Sequence, residues 1–111
     1  MTRSVVVAVS EGRVAPEFGE ADSFLVGRHI SNEGYAFRSR RASGLGRTAL
    51  VRFLRSSKAM VVITGGIDAA SSRLVNEAGL LAITGVNADA KEAVANYFDG
   101  NVYGGPRCMC G

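Results

Sequence analysis

The chain has a single histidine, His29, and only two cysteines, Cys108 and Cys110, both among its last four residues. With so few of these groups no Ser-His-Asp or Cys-His catalytic arrangement is supported: His29 falls in a strand pattern, and both thiols sit in a tail. No window approaches 18 uncharged apolar residues, so no membrane-spanning helix is predicted. The apolar stretch Val5 to Val9 is too short for a signal peptide and is followed at once by Glu11 and Arg13. The cytoplasm is therefore the expected compartment, and no membrane association is expected. Internal repeats, low-complexity tracts and any linker long enough to divide the chain are also missing. At 111 residues one domain is expected, large enough to bury a core without disulfide staples.

Negative charge is scarce in the first half. Residues 1–58 hold ten Lys or Arg against five Asp or Glu, whereas residues 59–111 hold three against five. Nine of the ten early cations are Arg, whose planar fork suits oxyanions and delocalised acceptors, so an anionic partner is expected. For Arg52, Arg55 and Lys58 the plainer reading is the solvated face of a helix.

The stretch from Ala59 to Asp68 organises the rest. Its apolar, β-branched residues read as a strand buried on both faces, and Gly65-Gly66 and a capping Asp68 lead it into a helix. Ser4 to Val9 is a second central strand. Pro16 and Gly19 make Val14 to Gly19 irregular. Ser23–Ile30 and Tyr35–Arg40 form a hairpin turned by Asn32 and Gly34. Helical spacing of Leu50, Phe53 and Leu54 predicts a helix from Arg47 to about Ser57. A second helix is expected over Ala69–Ala78, stopped by Gly79, followed by a buried strand Leu80–Thr84. A third helix, capped by Asn87 with Asp89 in its first turn, ends at Gly100.

This order gives a three-layer α/β domain with a five-stranded mixed sheet over residues 1–103, and a flexible tail, 104–111. Right-handed crossovers make the first, fourth and fifth strands parallel. Loops holding Arg13, Arg41 and Arg47 then rise from the sheet edge where Gly65 and Gly66 offer backbone amides, a setting suited to an anion. The alternative is that these glycines serve only a tight turn or a positive φ.

Two segments resemble a known family. Arg13-Val14-Ala15-Pro16-Glu17-Phe18-Gly19-Glu20-Ala21-Asp22-Ser23-Phe24 is similar to the basic-Val-Ser-Pro-His-Phe-Gly-x-Ala-x-x-Phe segment of the nitrogenase iron-molybdenum cofactor biosynthesis and carrier family. Val61 to Ile67 is similar to its buried strand ending in Gly-Gly-Ile, and Glu92 to Gly100 to its closing helix. The resemblance implies a ribonuclease H-like fold. It also implies a cytoplasmic protein that holds or ferries an anionic iron-sulfur or iron-molybdenum cluster between donor and acceptor assembly proteins, as in nitrogen fixation. The chain departs from the pattern in carrying Glu17 where the family often has His, and its 41–46 loop lacks the His frequently found there.

The tail Arg107-Cys108-Met109-Cys110 supplies two thiols one residue apart. Such a pair can chelate a soft metal or close one face of a cluster, with Arg107 favouring thiolate. A redox or intermolecular disulfide, an inert end and a packed cap are the alternatives. A nuclease would need carboxylates on the central strand, and Ser4–Val9 has none. The expected function is thus non-catalytic cluster binding, with Cys108 and Cys110 as metal ligands and Arg13, Arg41, Arg47, Gly65 and Gly66 holding the charge. A nucleic-acid-binding or protein-interaction module of the same fold is the alternative. The Arg residues form no run, which argues against nucleic acid, and a homodimer could pair the hairpin edge.

Overall fold

The computed structural model describes residues 3–30, 34–42 and 46–98. The chain runs β1 (Arg3–Ser10), β2 (Arg13–Val14), a single 3-10 turn (Phe18–Glu20), β3 (Ser23–Ile30), β4 (Gly34–Arg41), α1 (Arg47–Ser56), β5 (Val61–Ile63), α2 (Ala69–Glu77), β6 (Leu81–Ile83) and α3 (Ala90–Phe98). The strands form one mixed sheet in the order β4-β3-β1-β5-β6. β1, β5 and β6 are parallel, and β3 and β4 form an antiparallel hairpin on β1. The hairpin turn at Asn32, the helix stop at Gly100, the tail and both cysteines lie outside the described residues.

β1 is the centre of the sheet, as expected of a central strand over Ser4–Val9, whereas Ala59–Asp68, around which the rest was expected to pack, supplies the strand beside it. β5 is only three residues long and lies one strand in from the edge. β1 pairs with β2, β3 and β5, and its residues Val5 to Ala8 have no exposed surface. A continuous run of Val and Ala suits this position because both faces of the strand are covered. On one face Val6 and Ala8 pack with Phe24 and Val26 of β3, Leu54 of α1, and Leu74 and Val75 of α2. On the other, Val5, Val7 and Val9 pack with Leu25 of β3 and Ala90, Ala93 and Val94 of α3. The helices therefore cover the two faces of the sheet, giving three layers.

Four details differ from the expectations. Among the described residues there are six strands, not five, because β2 pairs Val14 with Val9 and Arg13 with Ser10; two residues are too few to show alternation. β6 is not buried: Leu81 is 67% exposed, since the strand lies at the sheet edge. α3 is capped by Asp89, whose Oδ2 accepts from the Lys91 and Glu92 amides, while Asn87 accepts from Arg13 instead. Finally, Lys58 lies beyond the end of α1, and Arg55 is not simply solvated because it donates to the Glu77 carbonyl at 3.0 Å. Gly79 stops α2 as expected, at φ 90°.

Candidate functional site

The register of the sheet brings the predicted loops to one edge. β5 runs parallel to β1 with Val7 opposite Ile63, so Gly65 and Gly66 leave the sheet at the carboxyl end of β1. Arg13 is opposite Ser10 at that same end. Arg41 is opposite Ser23, which is itself opposite Val9. Arg13 and Arg41 thus flank β1 about three strand spacings apart, roughly 14 Å between α-carbons. By the alternation of the strands Arg41 shares the face of Val9 and Val14, whereas Arg13 is on the opposite face with Ser10.

The glycine turn is built by a wedge. β1 and β5 separate at their carboxyl ends, and residues 14–18 fill the gap, hydrogen-bonded on both sides. The Ala15 amide donates to the Ala8 carbonyl at 2.7 Å, and the Ala15 carbonyl accepts from the Gly65 amide at 2.8 Å. The Phe18 amide donates to the Gly66 carbonyl at 2.8 Å, and the fully buried Thr64 hydroxyl donates to that carbonyl at 3.1 Å. Phe18 then anchors the segment against Phe24, with ring centres 5.5 Å apart.

Neither glycine has a positive φ. Their role is close approach: a β-carbon at Gly65 would lie 2.8 Å from the Pro16 carbonyl oxygen and 2.9 Å from that of Ala15. At Gly66 it would meet the Glu17 carboxylate. The Gly65 amide is already used within the wedge, whereas the Gly66 amide has no acceptor among the described residues.

The cations at this edge differ in their engagements. Arg13 donates to Asn87 Oδ1 at 3.1 Å and stands opposite Asp89 across an isolated antiparallel bridge. Arg41 is exposed and has no partner among the described residues. Arg47 pairs with Glu77 at 2.6 Å, an exposed pair at the far end of α2 from the glycine turn. That is about one nine-residue helix, or ~13 Å, away. Arg13, Arg41, Gly65 and Gly66 thus lie toward the same end of the sheet, while the Arg47 guanidinium is held by Glu77.

Carboxylates share the edge, and three of them, Asp22, Asp68 and Asp89, accept hydrogen bonds. Asp22 accepts from the Glu11 amide and the Ser23 hydroxyl. Asp68 caps α2 by accepting the Ser71 amide at 2.7 Å, and hydrogen bonding from Ser71 holds its carboxyl below the ordinary value of 3.8. Among the described residues no group of three or more His, Cys, Asp or Glu is placed to hold a metal ion. His29 is opposite Arg3 at the other end of β1, packed against Tyr35 and Phe98 at 5.4 and 5.7 Å between ring centres.

A second feature escaped the sequence reading. On the sheet face that carries α1, a groove of about 680 Å³ is lined by Ser4, Arg28, Arg38, Arg40, Phe53 and Lys58, among others. The hairpin register explains how it forms: Val26 is opposite Arg38 and Phe24 opposite Arg40, so Arg28, Arg38 and Arg40 share one face. The period-two pattern of Phe24, Val26 and Arg28 carried that signal. Nothing local in the sequence shows that the end of α1 would bring Lys58 beside them.

The sequence matches the family described as dinitrogenase iron-molybdenum cofactor over residues 1–100. Among solved structures, the chain is similar to an NMR structure provisionally described as a dinitrogenase from Methanococcus jannaschii, at 12% identity and a TM-score of 0.73, covering 97% of each chain. It is also similar to an NMR structure provisionally described as a NifB protein from Thermotoga, at 16% identity and a TM-score of 0.65, covering 96% of this chain and 97% of that one. A third similar structure is the apo form of the orange protein from Desulfovibrio gigas, at 20% identity and a TM-score of 0.65, covering 95% of this chain and 92% of that one. At these identities the structural likeness speaks for the fold. No curated protein matches the sequence.

Proposed function

We propose that this chain, which belongs to the dinitrogenase iron-molybdenum cofactor family, binds and carries an anionic iron-sulfur or iron-molybdenum type cluster, or its precursor, at the carboxyl edge of β1. The family match over residues 1–100 carries this reading. The placement of Arg13, Arg41 and the Gly66 amide, which has no acceptor among the described residues, toward the same end of the sheet supports it, because an anion gains both from fixed backbone dipoles and from guanidinium forks. The same reading takes the fold as ribonuclease H-like and the setting as cytoplasmic, with assembly proteins as cluster donor and acceptor.

In this proposal the protein binds and does not catalyse. Ser4 to Val9, the central strand, carries no carboxylate or other reactive group at the edge. Arg47, paired with Glu77 at the far end of α2, takes no part in this site. Cys108 and Cys110 supply thiolates from the tail, and two ligands leave the cargo incompletely enclosed, which suits hand-over.

Anaerobic reconstitution of the full chain with iron and sulfide, with and without molybdate, tests the proposal. Stoichiometric metal uptake that falls sharply in Cys108→Ser/Cys110→Ser is the expected result. No uptake by the parent, or equal uptake by both proteins, rejects it.

A further inference from the structure

The groove over the β3–β4 face is separate from the edge just described. Of the described residues that line it, Arg28, Arg38, Arg40 and Lys58 are cations and none is a carboxylate. Arg40 lies 5.7 Å from the centre of the Phe53 ring. No ion pair or hydrogen bond engages the side chains of Arg28, Arg38 or Lys58 among the described residues. Arg38 and Arg40 stand on one face of β4, and Arg28 is a diagonal neighbour of Arg38, so the three repel one another without an intervening anion.

Two further observations point into the same groove. Ser4 is only 8% exposed, and its hydroxyl has no hydrogen-bond partner among the described residues. A buried hydroxyl left unpaired is rare and calls for an explanation; a ligand acceptor would supply one. Lys58 has φ 58°, a left-handed conformation normally given to glycine at the end of a helix. The chain keeps a cation where glycine would be less strained, as sites of binding often do.

From these observations we infer that the groove binds a small polyphosphate anion, of the size class of a nucleoside triphosphate. Arg28, Arg38 and Lys58 take the phosphate oxygens, the Ser4 hydroxyl donates to one of them, and Val26 and Phe53 border the organic part. The volume suits one such molecule, since ligand sites commonly enclose about 300–1,000 Å³. A nucleic-acid strand would instead want successive free aromatic faces, and Phe53 is already faced by Arg40.

Calorimetric titration of the full chain at fixed ionic strength, with tripolyphosphate, ATP and a single-stranded oligonucleotide, tests the inference. One molecule of tripolyphosphate or ATP should bind per chain, weakened about tenfold or more in Arg28→Ala/Arg38→Ala and little changed in Arg52→Ala, an exposed cation on α1 outside the groove. Lys58→Gly separates binding from folding: it should weaken binding several-fold while the melting temperature holds or rises. No saturable binding, equal loss in the Arg52 variant, or tighter binding of the oligonucleotide than of either polyphosphate would overturn it.

Discussion

The glycine edge and the basic groove lie on the same sheet and are built in opposite ways. At the edge, backbone groups do the holding: residues 14–18 are bonded to β1 on one side and to the Thr64–Gly66 turn on the other. Acids and bases are interleaved there, and Asp22, Asp68 and Asp89 cap a turn or a helix. In the groove the backbone takes little part, and cations gather with no acid among the described lining residues. The difference shows that rigidity and charge are separable. A wedge of backbone makes a fixed platform with modest charge, whereas a hairpin register makes a strong field on side chains free to rearrange.

Substitutions at the two places should therefore fail differently. Gly65→Ala is expected to have the largest effect, because its β-carbon meets the carbonyl oxygens of Ala15 and Pro16, which are fixed by the wedge. A loss of about 2–4 kcal/mol in denaturant unfolding is predicted, with Gly66→Ala costing clearly less because its nearest neighbour is the flexible Glu17 side chain. Equal costs would mean that the wedge is not the reason for the pair. In the groove, Arg38→Ala should instead raise stability by roughly 0.5 kcal/mol at low salt by removing like-charge repulsion, and the gain should vanish in 1 M salt. A destabilised Arg38 variant would contradict the picture of uncompensated charge.

The smallest effect is expected at Asp68. Its folded pKa is lowered by hydrogen bonding to Ser71, so the cap contributes above pH 3.8, the ordinary value, and loses its contribution as pH falls through the lowered one. Asp68→Asn should lower the melting temperature by at most a few degrees at neutral pH, and melts at successively lower pH should show parent and variant converging. A gap that widens on acidification would reverse the sign.

The two regions were also unequally legible in the sequence. Local signals were enough for α1 and α2, where Leu50, Phe53 and Leu54 share a face and Asp68 and Gly79 bracket the second helix. They were not enough for Leu81, because an apolar strand reads the same at an edge as in the interior. Asn87 and Asp89 are both capping residues two positions apart, and only the contact of Arg13 with Asn87 decides between them. The Gly-Gly pair was visible, but its reason was not. The close neighbours of Gly65 lie some fifty positions earlier in the chain, and no local pattern encodes such a contact. Arg38 and Arg40 were visible as alternating residues, while Ser4 and Lys58 join them only through tertiary packing.

Metal content per chain after anaerobic reconstitution, compared between Arg13→Ala/Arg41→Ala and Arg28→Ala/Arg38→Ala, tests most directly where the cargo is held. The account predicts that the edge variant loses most of the cluster while the groove variant retains the parental amount. Loss in the groove variant with full retention in the edge variant would contradict it.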